Sequence, residues 1–171
     1  MFVLVLFLVF CQALGAMIGV FTALWGEFAY MRALRDGKID AAERIHLDSI
    51  AKGLRFGMSL LLVASLGLVI VAYMLHTPLQ PALTASYWTL MALALLIVGV
   101  SLALSRRRVS FALGSAVIFS GWWFLTYLTL GQLPALSFGA AVALYVIVVA
   151  LFYALLHYTR LCARLTHKTT V

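Results

Sequence analysis

The sequence predicts an all-α integral membrane protein with five transmembrane helices, and three observations support this. Hydrophobic residues make up 65 % of the 171 residues and charged residues only 10 %, and the mean hydropathy is +1.13. Five apolar stretches are each long enough to cross a bilayer, which takes about 20 residues of α-helix. Most of the charged residues lie in short segments between or after these stretches. A soluble globular domain does not combine these properties.

The apolar stretches set the expected boundaries of the elements. We predict helices over about residues 2–35, 41–75, 86–105, 109–130 and 135–158, followed by a basic tail over residues 159–171. No stretch remains for a separate soluble module. We therefore expect residues 1–171 to form a single membrane domain.

The first two helices and their joint form the most highly charged part of the chain. Residues 26–57 hold all five acidic residues and six of the twelve basic ones. Helix 2 is roughly 50 Å long at 1.5 Å per residue, whereas the hydrocarbon core is roughly 30 Å thick. We therefore predict a hairpin of helices 1 and 2 that protrudes some 10–15 Å beyond the membrane. Its charged residues are candidates for contact with a partner: Arg35, Asp36, Lys38, Arg44 and Asp48.

The basic residues also predict an orientation. The hairpin holds six lysines and arginines, the joint between helices 3 and 4 holds three, and the tail holds three, which accounts for all twelve. The other two joints hold none. Because cytoplasmic segments carry the excess of Lys and Arg, we expect the N-terminus outside and the C-terminus in the cytoplasm. The expected location is the inner membrane of the cell, as a multi-pass protein.

Glycines recur at helical spacings in the hairpin, at Gly15, Gly19 and Gly26 in helix 1 and at Gly53 and Gly57 in helix 2. Small residues in apolar helices let another backbone approach closely. We therefore predict that helix 1 packs on helix 2 through these glycines.

Glu27 is the only acidic residue within an otherwise apolar segment. Such a group is a functional candidate because burying it without a partner is expensive. If the hairpin is symmetrical about Lys38, Glu27 lies beside residues 48–52, and Lys52 is a ready ion-pair partner. Lys52 belongs to a polar stripe on one face of helix 2, which is formed by Arg44, Asp48, Lys52 and Arg55 at spacings of four, four and three. Structural pairing, a proton or cation role, and contact with a partner all remain open.

Two adjacent tryptophans, Trp122 and Trp123, lie near the middle of helix 4, although tryptophan prefers the headgroup region. Adjacent helical residues point about 100° apart, so the two indoles cannot line one pocket equally. One of them is a candidate to stack on a quinone, pigment or lipid, and Tyr145 is a candidate to extend the cluster. Packing within a helix interface is the simpler interpretation.

The sequence carries no motif that specifies a reaction. GxSxG and HExxH are absent, and the four histidines lack the spacing of metal or haem ligands. The basic residues lie in joints rather than on one folded face, which argues against a nucleic-acid partner. We therefore lean against an enzyme and expect no cofactor.

Exclusion of these classes leaves a protein that acts by binding. We expect a non-catalytic inner-membrane protein, an accessory or small subunit of a larger membrane complex. Its expected partners are membrane lipids and either other subunits or copies of itself. One alternative is a small oligomeric transporter or channel for protons or ions that uses Glu27. Another alternative is a redox subunit that binds haem or a quinone.

Overall fold

The structure is a computed structural model that describes residues 2–36, 41–76, 80–106, 108–134 and 136–168; for residues 33–36, 41–50 and 163–168 it describes the backbone alone. These residues form five α-helices and one turn of 3-10 helix, Pro81–Leu83, that precedes the third. The helices are α1 (Phe2–Asp36), α2 (Ala41–Met74), α3 (Ala85–Ser105), α4 (Phe111–Thr129) and α5 (Phe138–Lys168).

Each of the five helices contains a segment long and apolar enough to cross a membrane. The candidate spans are Phe2–Arg32, Ala51–Met74, Ala85–Ser105, Phe111–Thr129 and Phe138–Cys162. The predicted all-helical fold class is confirmed at this level, and the five helices are compatible with a multi-pass membrane protein. Which membrane holds the chain, and which end faces the cytoplasm, stay predictions.

Polar side chains in the joints determine where the later helices begin. Thr84 accepts a hydrogen bond from the backbone N–H of the third residue after it, and Ser110 and Ser137 do the same at the next two helices. Such caps satisfy backbone donors that have no partner inside the helix. They explain why α4 and α5 begin two to three residues later than their apolar patterns predict. Beyond the end of α4, Gly131 adopts a φ of +66°, which glycine tolerates without strain.

Helix α5 extends well beyond its predicted end at residue 158. It continues to Lys168, so the first part of the predicted basic tail is helical. Residues 158–168 contain neither glycine nor proline, and nothing in their backbone chemistry stops the helix there. The consequence is that Arg160 lies on a helix rather than in a tail.

Helices α1 and α2 run antiparallel with a uniform register. A Cβ built on Gly67 would lie 2.9 Å from Leu8, and one on Gly53 would lie 2.6 Å from Thr22, with Gly15 facing Gly57 between them. This register carries Glu27 to the level of residue 48, as expected for a hairpin that is symmetrical about its joint.

Helix α4 is the centre of the bundle. It contacts α1, α3 and α5, and 56 % of an apolar 18-residue segment of it is buried, against 17–28 % for such segments of the other four helices. Contacts at both of its ends show that α4 runs antiparallel to α1, because its Thr126 bonds to Ala16 whereas its Phe111 meets Tyr30. Helix α2 packs on α1 and touches the 3-10 turn, so it lies at the edge of the described bundle.

The α1–α2 hairpin is displaced along the bundle axis relative to α4. The hydroxyl of Thr126 lies 3.3 Å from the carbonyl oxygen of Ala16; α4 ends soon after this contact, whereas α1 reaches back to Phe2. The N-terminal part of α1 that extends past the end of α4 is about 16 Å long at 1.5 Å per residue, and this length is the displacement. The end of the bundle where α1, α3 and α5 finish and α4 begins is called the charged end below, because Glu27, Arg106 and Arg160 lie there.

Candidate functional site

A buried ion pair joins α1 to α5 at the charged end. The guanidinium of Arg160 donates from Nη2 to Oε2 of Glu27 over 2.7 Å. The two residues are only 6 % and 7 % exposed, although 133 positions separate them in the chain. Charges removed from water in this way require both a partner and further hydrogen bonds.

Helices α4 and α1 supply further contacts to Arg160. The same Nη2 donates to the hydroxyl of Ser115 over 2.7 Å. The guanidinium also lies over two aromatic rings, 5.1 Å from the centroid of Tyr30 and 5.6 Å from that of Phe111. Aromatic faces attract such a cation, more so where water is excluded. Three helices therefore meet around one positive group, called the Arg160 cluster from here on.

Helical spacing explains how the Arg160 cluster assembles. Glu27 and Tyr30 lie three residues apart and so share one face of α1. Phe111 and Ser115 lie four residues apart on the first two turns of α4. The rings of Tyr30 and Phe111 touch, with centroids 4.2 Å apart. Short stretches of α1 and α4 thus surround the side chain of Arg160, which lies on α5.

The partner of Glu27 was not foreseen from the sequence. Lys52 was the expected partner, and the ion pair described for Glu27 is with Arg160. Both Lys52 and Arg55 are exposed on α2. The signal that would have identified Arg160 is the absence of a helix breaker after residue 158, which keeps this arginine on the helix that follows the last apolar stretch.

The structure describes no side chain of the five predicted partner-contact residues. Arg35, Asp36, Arg44 and Asp48 lie on α1 or α2, but their side chains are not among those described, and Lys38 lies outside the described residues. Their contact with a partner stays a prediction.

The hairpin glycines lie where two backbones meet. A Cβ on Gly15 would come within 2.8 Å of the Gly57 carbonyl oxygen, and a Cβ on Gly57 within 2.8 Å of the Gly15 carbonyl oxygen. Gly19 serves a second contact as well, because its missing Cβ leaves room for the indole of Trp122 on α4. Gly53 faces Thr22, and Gly26 is half-buried.

The two adjacent tryptophans have different surroundings. Trp122 is 1 % exposed and fills the contact between α4 and α1. Trp123 is half-buried and lines a cleft of about 520 Å³ between α4 and α5. The cleft, called the aromatic cleft below, is lined by five aromatic and three aliphatic residues: Phe119, Trp123, Phe124, Tyr127, Leu133, Leu144, Val148 and Phe152.

Tyr145 packs in the core instead of lining this cleft. Its hydroxyl donates to the carbonyl oxygen of Val117 over 2.9 Å, and its ring meets Phe124 edge to face at 5.7 Å. Such a hydrogen bond satisfies the one polar group of a buried tyrosine. Of the three predicted stacking residues, Trp123 is the one whose position allows contact with a ligand in the aromatic cleft.

Within the described residues, no three His, Cys, Asp or Glu side chains come together as ligands for a metal ion. The cofactor expectation is untested by this. No protein-family model, no curated protein and no solved structure matches the chain.

Proposed function

We propose that the protein is a non-catalytic multi-pass protein of the inner membrane that acts as an accessory or small subunit of a larger membrane complex. The hairpin is the observation that carries this proposal. Helix α2 begins at Ala41, whereas its apolar span begins at Ala51. About 15 Å of helix therefore precedes the span, and a helix rich in charged residues is a surface for a soluble domain or another subunit.

The Arg160 cluster supports a structural role for the buried charges in this proposal. Glu27 and Arg160 neutralise each other, and Ser115 and two aromatic rings also contact the guanidinium. Its buried Nε has no hydrogen-bond partner among the described residues. A group held by so many partners stabilises one arrangement of helices. The charges left for recognition are then those of the hairpin, of the α3–α4 joint and of the C-terminal segment, which contains Arg164 and Lys168.

The test is the composition of the complex in its own membrane. We expect extraction in a mild detergent to recover the chain with at least one other polypeptide in fixed stoichiometry. Reversal of two hairpin charges, Arg44→Glu and Asp48→Arg together, should release that polypeptide and leave the chain folded. Recovery of this chain alone, from membranes cross-linked before extraction, would contradict the proposal.

A transporter or channel for protons or ions is the second candidate, and the burial of Glu27 favours it. An ionisable group inside a membrane segment often marks an ion pathway. On this account liposomes that contain the protein pass protons or a cation, and Glu27→Gln abolishes the flux. Arg32→Gln, which changes an exposed charge on the same helix, is the matched control. Flux that survives in Glu27→Gln would remove Glu27 from the mechanism.

A redox subunit is the third candidate, and the aromatic cleft favours its quinone form. Its volume suits a small ligand, and its rings suit stacking on a planar one. A quinone co-extracted with the wild-type chain but not with Trp123→Ala would support this role. Equal retention of the quinone by the two chains would count against this role. The haem form of the redox role is tested by the absorption spectrum of the purified protein.

A further inference from the structure

The face of α2 that points away from α1 combines an arginine with an apolar stripe. Gly53 and Gly57 face α1, and Arg55 lies between them, about 200° around the helix from each. Arg55 is exposed. Beyond it the exposed residues Phe56, Val63, Leu66, Ile70 and Tyr73 recur at intervals of seven, three, four and three, which is the spacing of one helix face. These six residues are called the outer face of α2 below.

The displacement of the hairpin places Arg55 deep along the bundle. Arg55 lies between the levels at which α2 meets Thr22 and Gly19. The charged end, in contrast, is at the level of Tyr30, where α4 begins. At 1.5 Å per residue the separation along α1 is about 14 Å. The apolar spans of the other four helices end or begin near the charged end, at Arg32, Ser105, Phe111 and Cys162. A membrane surface at the level of these four residues leaves Arg55 well inside the apolar layer.

An arginine at that depth needs a partner. Charged side chains within membrane segments almost always face the protein interior or a water-filled space and pair with another group. We propose that the outer face of α2 binds a transmembrane helix of another subunit, and that an Asp or Glu of that helix pairs with Arg55. The inference rests on the proposed function, because it assigns the surface through which the chain joins its complex.

Charge and depth distinguish this occupant from two others. A second copy of the chain docked through the same face, around a two-fold axis along the membrane normal, would bring two Arg55 side chains towards each other, and like charges repel strongly in apolar surroundings. A lipid headgroup would have to be reached across the whole separation from the charged end, which is farther than an arginine side chain extends. An Asp or Glu on a transmembrane helix can lie at the same depth as Arg55 and pair with it there.

Site-specific photo-cross-linking in the native membrane tests the proposal. A photoreactive residue replaces Val63 on the outer face, and the same residue replaces Leu151, which is exposed on α5, as a positional control. We expect a protein adduct from position 63, whose partner peptide is an apolar span that contains Asp or Glu. Arg55→Gln should lower its yield about tenfold, as expected for one polar contact between helices in a membrane. Arg55→Lys should preserve it, and so should the matched control Arg32→Gln.

A charge exchange completes the experiment. Arg55→Glu should abolish the adduct, and replacement of the partner's acidic residue by arginine should restore it. The inference would be overturned if position 63 forms adducts only with lipid or with copies of this chain. It would also be overturned if the adduct yield is the same in the Arg55 variants as in the wild-type chain. In those cases hairpin adducts at position 44 show that the chain still has a partner and that the proposed function stands. Absence of protein adducts at positions 44 and 63 would overturn both.

Discussion

Removal of one member of the Glu27–Arg160 pair is the perturbation with the largest expected effect. Both side chains are buried, and loss of one partner from a buried ion pair costs about 3–5 kcal/mol because it leaves a charge without compensation. We expect Glu27→Gln to cost about 3 kcal/mol. The guanidinium cannot lose its proton, although it keeps Ser115 and the two rings.

Arg160→Gln should cost less, about 2 kcal/mol. The new amide can still donate a hydrogen bond to the Glu27 carboxylate. The double variant Glu27→Gln/Arg160→Gln leaves no buried charge and should cost about as much as Arg160→Gln alone. The pair then shows a coupling free energy of about 3 kcal/mol in a double-mutant cycle.

Unfolding followed by circular dichroism in mixed detergent micelles measures all four chains. Arg32→Gln, which removes an exposed charge from the same helix, should change the free energy of unfolding by less than about 0.5 kcal/mol. Additive losses in the cycle, with a coupling free energy near zero, would show that Glu27 and Arg160 do not act on each other, and the account of the charged end would be wrong.

Five further substitutions, two of which are matched controls, test the packing around α4 and within the hairpin by the same assay. Gly15→Ala pushes a methyl group against the α2 backbone and should cost about 2 kcal/mol, whereas Gly99→Ala meets no atom within 4 Å and should leave stability unchanged or raise it by up to about 1 kcal/mol. Trp122→Ala empties the contact between α4 and α1 and should cost about 3 kcal/mol, more than Trp123→Ala at the half-buried neighbour. Tyr145→Phe removes one buried hydrogen bond and should cost about 1 kcal/mol. Equal losses at the two glycines, equal losses at the two tryptophans, or no loss at Tyr145 would each contradict the packing described.

The five apolar helices were accessible from the sequence because they depend on local properties. Length and hydropathy suffice to locate apolar helices, and glycines at helical spacing indicated where two backbones approach. The facing of Gly15 and Gly57 is the structural counterpart of that pattern. The hairpin register likewise follows from the lengths of two helices joined by a short connection.

The Arg160 cluster depends on information that one sequence does not carry. Glu27 and Arg160 are far apart in the chain, and their meeting requires α1 and α5 to lie side by side against α4. Apolar spans can be arranged in many ways with similar hydropathy, so the order of helices in space is decided by packing at particular residues such as Gly19 and Trp122. The end of α5 posed a second difficulty, since hydropathy falls at residue 158 whereas the helix continues.

The axial displacement of the hairpin relative to α4 could not be predicted from the sequence either. It arises where α1 meets α4, at Ala16 and Thr126, and neither residue stands out in the sequence. It places Arg55, which lies near the start of an apolar stretch in the sequence, about 14 Å from the charged end along α1. That distance follows from tertiary structure alone.

The most direct test of the account is the side of the membrane on which each end of the bundle lies. Single cysteines at Lys38 and at Gln132, in a chain whose Cys11 and Cys162 are replaced by serine, report on the hairpin joint and on the opposite end. We predict that an impermeant thiol reagent added to intact cells modifies Gln132→Cys, and that Lys38→Cys reacts only after the membrane is opened. Modification of both positions from one compartment would contradict the five-span arrangement and the orientation with it.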